Sequence, residues 1–242
     1  MRTKIFVATG SPMENFHYKD YYPILVGMHD KEFLDSHILR DTSGDSLAHK
    51  NPNYCELTAL YWAWKNDIES FDYIGLCHYR RFFAFDNGTN RDISLDELNS
   101  SILSTDTIPE LLAHYDILLP RPGVMAETVY ENYALHHRVE DLDKALVIMD
   151  ELFPEYHISA RHALNLTTTY FFNMFITRKE IFVEYMHWLF TILFELEKRI
   201  QIPEDPYQRR IFGFLSERMF NIFIMHKQLK VKTLPIVGIN KG

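Results

Sequence analysis

One run of residues restricts the fold more than any other. Asp72-Tyr73-Ile74-Gly75-Leu76-Cys77 is almost wholly apolar, and it stops abruptly at His78-Tyr79-Arg80-Arg81. A strand of this composition is buried on both faces, as the central strands of α/β sheets are. Other strand-like and helix-like segments alternate around it, which points to an α/β domain. The expected strands are Lys4 to Thr9, Asp72 to Cys77, Tyr115 to Leu119, Tyr170 to Thr177 and Leu229 to Val237. The expected helices are Asn53 to Asn66, Asp92 to Leu112, Glu127 to His137, Asp141 to Phe153, Lys179 to Ile200 and Arg209 to His226. Asn53 with Glu56 three residues on reads as a capping box. No repeat, low-complexity tract or linker divides the 242 residues, so 1–242 is expected to be a single domain.

Charge removes several classes of function. Lys and Arg total 25 against 33 Asp and Glu, a formal net charge of -8. Such a chain repels a phosphate backbone, so nucleic acid is not an expected partner. The stretch from His226 to Gly242 is an exception, with Lys227, Lys230, Lys232 and Lys241 and no acid. It reads as a solvated tail or as a contact for lipid or diphosphate. Cys55 and Cys77 lie in apolar runs and fit reduced, buried thiols of a cytoplasmic protein. The apolar run from Ile181 to Leu196 is broken by Glu184, His187 and Glu195, so no transmembrane segment is expected. No Gly-x-Gly-x-x-Gly, P-loop or Gly-x-Ser-x-Gly pattern occurs, which weakens dehydrogenase, kinase and serine-hydrolase readings.

Five segments carry candidate chemistry. Side chains of a strand alternate, so His78 and Arg80 are expected to project together beyond the carboxyl end of their strand, with Arg81 beside them. Ligands of open α/β sheets bind at such ends. Arg grips phosphate through two parallel hydrogen bonds. Asn51, Pro52 and Asn53 open a helix, where free N–H groups favour anions, and capping alone explains Asn53 and Glu56 equally well. In the segment that begins at Glu127, His136 or His137 is a candidate donor to a diphosphate or a sugar hydroxyl, whereas Asp141-Leu142-Asp143 opens a helix rather than following a strand. Asn173 interrupts an apolar run and needs partners, from the backbone or a substrate. Gly213 in a helix implies close packing or a ligand, and Glu217 beside Arg218 reads either as a general base or as a structural ion pair.

The segments Lys50 to Asn66 and Ile74 to Phe83, with Glu127-Thr128-Val129-Tyr130, His136-His137, Glu140-Asp141-Leu142, Asn173-Met174-Phe175 and Phe212 to Arg218, resemble one family in order. It is the bacterial capsular and exopolysaccharide biosynthesis proteins catalogued as a domain of unknown function, which includes glycosyltransferases of the galactofuranosyltransferase type. The resemblance implies a GT-A-like sandwich, a mixed central sheet flanked by helices. It also implies transfer of a sugar from a nucleotide-sugar donor, such as a UDP-sugar, to a glycan or lipid-linked glycan acceptor. Capsule, exopolysaccharide or O-antigen synthesis is the expected pathway, in the cytoplasm and at the inner face of the plasma membrane, with peripheral membrane association. Many such enzymes carry Asp-x-Asp where this chain has His78 to Arg81. The swap calls Mn²⁺ or Mg²⁺ dependence into question, and no metal ligands are assigned.

His78 and Arg80, helped by Arg81, are then expected to stabilise the leaving diphosphate. Thr9, Asn51 and Asn53 are expected to contact the nucleotide. Glu56, Glu127, His136, His137, Asn173 and Arg218 complete the substrate-binding set, and for an inverting reaction Glu217 is the expected base, with Glu127 as the second candidate. A nucleotide-sugar hydrolase and a non-catalytic glycan- or nucleotide-binding module are the alternatives.

Overall fold

The computed structural model describes residues 1–11, 13, 16–27, 38–85, 88, 90–94 and 97–239. Its strands are β1 (Thr3–Thr9), β2 (Tyr21–Leu25), β3 (Leu39–Arg40), β4 (Tyr73–His78), β5 (Arg81–Phe83), β6 (Arg91–Ile93), β7 (Ile117–Pro120), β8 (Gly123–Val124), β9 (Thr168–Thr169), β10 (Phe175–Arg178), β11 (Val231–Leu234) and β12 (Ile236–Ile239). Its helices are α1 (Asn51–Tyr54), α2 (Leu57–Asn66), α3 (Leu98–Ser101), α4 (Ile108–His114), α5 (Val129–His136), α6 (Val139–Leu152), α7 (His157–Leu164), α8 (Lys179–Arg199) and α9 (Ile211–His226).

The main sheet runs β11-β7-β10-β4-β1-β2-β3. β10 is antiparallel to β4 and β7, and the other neighbours on this path are parallel. The mixed α/β sandwich expected from the sequence is therefore what the chain forms. Alternation along β1 and β4 feeds two cores. Phe6, Ala8, Ile74 and Leu76 face the layer of α2, α6, α8 and α9, while Ile5, Val7, Tyr73 and Cys77 face Leu98, Ile108 and Leu112. Strand β4 is buried on both sides, as its composition requires.

One feature of the topology positions the site. β1 pairs with β2 on one side and with β4 on the other, both parallel. The chain leaves β1 in one direction, through β2 and β3, and returns to β4 on the opposite flank. Beyond the carboxyl ends of β1 and β4 a crevice therefore opens, at a topological switch point.

Several expected boundaries are corrected. The helix expected from Asn53 to Asn66 is two helices, because Cys55 sits at φ 51° and ψ -134° and breaks the backbone ladder. The Asn53–Glu56 capping box does not form: the Asn51 side-chain amide bridges the break instead, donating to the Cys55 carbonyl at 2.8 Å and to Thr58 Oγ1 at 3.2 Å. α1 is a single turn, too short to carry much of a macrodipole. Asp92 to Leu112 is not one helix: β6, α3 and α4 share it. The strand expected from Tyr170 starts only at Phe175, since Phe172 and Asn173 adopt φ 77° and 52°. The last strand is two, bent at Pro235 so that β11 joins β7 and β12 joins β5 and β6.

β2, β3 and α7 were not expected. β2 carries Pro23, which argues against a strand. The ladder to β3 begins only at Ile24, so among the described residues no strand lies outside Pro23 to miss its N–H. The basic C-terminal stretch is largely not a tail. Lys230 and Lys232 lie over the Tyr115 ring at 5.2 and 5.8 Å, and Lys227 pairs with Glu184. Lys241 lies outside the described residues. Among the described residues, no helix is long and apolar enough to cross a membrane.

Gly75 is a packing requirement of this sheet. A Cβ there would stand 2.8 Å from Ile176 Cγ1, 3.1 Å from the Phe175 carbonyl oxygen and 3.3 Å from Ile5 Cγ1. Gly75→Ala is expected to cost about 1–3 kcal/mol in urea denaturation, the usual cost of overpacking. An unchanged midpoint would mean that β4 and β10 can separate freely.

Candidate active site

The crevice beyond β1 and β4 is a cleft of about 440 Å³. Ala8, Thr9 and Gly10 form its floor on one strand, His78 and Tyr79 on the other. Asn51, Pro52, Cys55 and Glu56 close one wall, and Pro206, Arg209 and Arg210 the facing one. Of the expected residues, the cleft brings together Thr9, Asn51, Glu56 and His78. Its two arginines, Arg209 and Arg210, were not among them.

Each lining group is held. Thr9 Oγ1 donates to the Ser11 carbonyl at 2.5 Å and accepts from the Ser11 N–H at 3.2 Å, which turns the chain sharply after β1. His78 Nε2–H donates to the Phe172 carbonyl at 2.6 Å, so Nδ1 is the ring's remaining polar atom. Glu56 Oε1 accepts from Asn173 Nδ2 at 2.7 Å. Asn173 is buried beneath Glu56, with its carbonyl accepting from Ser216 and its amide also donating to the Gly213 carbonyl. It supports the cleft through Glu56 rather than lining it. Gly213 has a packing reason: a Cβ there would meet Cys55 Sγ at 3.0 Å.

The wall that carries Arg209 and Arg210 is latched from several sides. Asn53 donates from Nδ2 to the Arg209 carbonyl at 3.0 Å, so it positions that wall instead of capping a helix. The Arg210 guanidinium lies 5.3 Å from the Phe214 ring, and its Nε–H points at Cys55 Sγ at 3.4 Å. His137 stacks on the far partners of this group, 4.0 Å from Phe214 and 5.8 Å from Tyr207. Burial and then the nearby Arg218 push His137 down to about 4, so at neutral pH it is an uncharged ring in a stack. It therefore has no cationic charge to offer a diphosphate. His136 is exposed on α5, its Nδ1–H directed at the Asn132 carbonyl at 2.8 Å. Neither histidine lines the cleft.

Glu217 and Arg218 form the ion pair that was one of the two readings, at 2.8 Å. Arg218 is 4% exposed and also donates to the Asn132 carbonyl-type oxygen Oδ1 at 3.2 Å. Asn132 in turn donates to Glu127 Oε1 at 2.6 Å, which puts Glu127 at the outer end of this chain of contacts, away from the cleft. The second oxygen of Glu217 accepts from the Phe172 N–H at 2.9 Å. The Phe172 peptide is thus gripped at both ends, by His78 and by Glu217, in a left-handed conformation that non-glycine residues seldom adopt. Burial pushes the Glu217 carboxyl up to about 6 against the lowering influence of Arg218 and the Phe172 N–H.

The expectation that His78 and Arg80 project together is corrected. β4 ends at His78, which pairs with Arg81 of β5, so Tyr79 and Arg80 are a two-residue turn and strand alternation does not continue through them. Arg80 and Arg81 leave the cleft and line a separate hollow described below. Asp141 is buried and pairs with Arg138 at 3.4 Å, while Asp143 accepts from the Tyr130 hydroxyl at 2.9 Å. The pair is structural. Among the described residues, no group of three or more His, Cys, Asp or Glu side chains converges as a metal site. Of the cleft's carboxylate and imidazole groups, Glu56 is already bound by Asn173 and His78 by Phe172. No step below is routed through Mn²⁺ or Mg²⁺.

A mixed α/β sandwich with a cationic cleft at its switch point is the class that fold and site define. The family model described as "Domain of unknown function (DUF4422)" matches residues 4–228, and the chain belongs to that family. The fold is also that of part of a solved structure, the apo form of WbbM, described as a bifunctional glycosyltransferase. The match has 31% identity and a TM-score of 0.89, covering 100% of this chain and 46% of that one. The chain thus spans less than half the length of WbbM. No curated protein matches it.

The Glu217–Arg218 pair makes a pH-dependent prediction. Between about pH 4.5 and 6 the folded state keeps a proton that the unfolded chain has lost, so this carboxyl's contribution to stability falls as pH rises through that window. Arg218→Met removes the compensating cation. It is expected to cost about 3 kcal/mol at pH 8 and clearly less at pH 5, where Glu217 can take up a proton. Thermal melts at the two pH values measure this, and an equal loss at both would refute the assignment.

Proposed function

We propose that this chain is a glycosyltransferase that moves a sugar from a nucleotide-sugar donor, a UDP-sugar, to a glycan acceptor. The acceptor belongs to a surface polysaccharide of the capsule, exopolysaccharide or O-antigen kind that the sequence resemblance implies. Residues 1–242 act as one catalytic unit in this reading. The donor is cytoplasmic, and a lipid-linked acceptor would bring the reaction to the inner face of the plasma membrane.

The observation that supports this reading best is the composition of the cleft. It lies at the carboxyl ends of β1 and β4 and holds His78, Arg209 and Arg210 around one carboxylate, Glu56. The likeness in fold to part of WbbM adds to it. The donor diphosphate lies over Thr9 and Gly10, with the two guanidiniums opposite the departing phosphate oxygens. Breaking the bond between the anomeric carbon and the diphosphate leaves oxocarbenium character on the sugar and negative charge on the leaving group. Cations fixed in advance stabilise that charge as it develops. The acceptor hydroxyl oxygen bonds to the anomeric carbon, and its proton passes to a carboxylate. Glu56 takes that role in place of Glu217, both of whose oxygens are engaged by Arg218 and Phe172. Glu217 instead holds the Phe172 peptide against His78, and Asn53, Asn173 and His137 hold the walls.

Incubation with a panel of UDP-sugars, with and without glycan acceptors, tests the reaction. UDP release is expected to depend on acceptor. Release without acceptor would mark a nucleotide-sugar hydrolase, and binding with no turnover would mark a non-catalytic module. Within the enzyme reading, Arg209→Ala with Arg210→Ala is expected to lower kcat/KM for the donor about 100-fold with little change in melting temperature. Glu56→Gln keeps the acceptor oxygen for Asn173, so it should lower kcat by about 100-fold or more while donor affinity stays close to wild type.

A further inference from the structure

The turn after β4 separates two hollows. Tyr79 lines the cleft, and the next residue, Arg80, lines a second depression of about 390 Å³ with Arg81, Arg91, Asp92 and Gly238. Three strands build its floor. Gly238 of β12 pairs with Arg81 of β5 on one side and with Asp92 of β6 on the other, and Arg91 stands opposite Val237. The floor is bare backbone at Gly238, where a Cβ would meet Asp92 Oδ1 at 2.3 Å. Arg80, Arg81 and Arg91 thus line one hollow with Asp92, in a chain whose net charge is -8.

Two of these guanidiniums are fixed by aromatic faces. Arg80 lies 4.7 Å from the Tyr79 ring and Arg81 4.5 Å from the Phe172 ring. Among the described residues, no carboxylate pairs with either one. Stacking holds the plane of a guanidinium while leaving its in-plane N–H donors available. A cation destined for a structural ion pair is arranged the other way, with its donors already spent, as Arg178 is on Asp116 at 2.5 Å. Arg81 rests on the same Phe172 whose peptide is clamped by His78, so the second hollow is built onto the first.

We propose that the hollow formed by Arg80, Arg81 and Arg91 is a second anion subsite, one that takes a diphosphate carried by the acceptor. The inference rests on the glycosyltransferase reading for the word acceptor, and on the hollow alone for the diphosphate. A diphosphate group linking the acceptor glycan to a lipid would sit there while its terminal sugar reaches round the Tyr79–Arg80 turn into the cleft. Donor and acceptor would each contribute one diphosphate, held on opposite sides of that turn.

Calorimetric titration with inorganic pyrophosphate tests the hollow without any need for turnover. Wild type is expected to bind at two sites, only one of which UDP blocks. Arg80→Gln with Arg81→Gln should remove the UDP-insensitive site and leave the other within twofold; Arg80→Gln alone, in an exposed turn, serves if the double variant does not fold. A single site that UDP blocks, or two sites that survive the double variant, would overturn the proposal. A kinetic arm identifies the source of the diphosphate, using one glycan as a lipid diphosphate and as a neutral glycoside. The double variant should raise KM at least tenfold for the first and less than twofold for the second, with donor KM within twofold. Equal rises for both acceptors, or a rise in donor KM instead, would also overturn it. Wild type inactive with every acceptor would defeat the glycosyltransferase reading, while the titration would still decide the hollow.

Discussion

A parallel strand flanked on both sides by parallel strands leaves its carboxyl end open, and the rest of this molecule is arranged around that fact. β1 pairs with β2 and β4. β2 and β4 lie on opposite flanks of β1, which makes its carboxyl end a topological switch point. The backbone at that end is closed internally, the Thr9 carbonyl by the Val26 N–H at 3.0 Å and the Ala8 carbonyl by the Tyr79 N–H at 3.1 Å, so the side chains that gather there supply the cleft's chemistry.

What gathers is held at a distance from its own helices and strands. The Phe172 peptide joins the sheet to α9: His78 takes its oxygen, Glu217 its N–H, and Arg218 balances Glu217. Asn173, next in the chain, reaches Glu56 from below. Two consecutive left-handed residues make both contacts possible, and the packed hydrogen bonds offset the strain of that conformation. The consequence is a cleft whose imidazole and carboxylate are both positioned by one turn. Displacing that turn would move the floor and one wall together.

The sequence makes the sheet's centre legible because burial on both faces leaves a plain apolar run, and His78 ends that run. It does not reveal the turn that follows. Alternation carried past His78 would put Arg80 beside it, whereas the chain reverses within two residues and sends Arg80 to another surface. Asn53 and Glu56 have the spacing of a cap, but a left-handed Cys55 between them has no signature in residue type, since glycine is the usual occupant of such conformations. Arg209 and Arg210 are held at the cleft by distant partners, Asn53 on the Arg209 carbonyl and Cys55 beside the Arg210 guanidinium, more than 150 residues earlier. Contacts over that separation leave no periodicity to read. An arginine pair directly after a proline-rich loop and before a helix was the one local hint.

The Arg209–Arg210 pair at α9's entrance and the His78 ring at the end of β4 face a common space, although the chain as a whole is acidic. A crystal structure with bound UDP measures this directly. The diphosphate is expected between His78 and the Arg209–Arg210 wall, above Thr9 and Gly10. UDP bound in the Arg80–Arg81–Arg91 hollow, or against the aromatic depression lined by Phe16, Tyr18 and Tyr22, would contradict it.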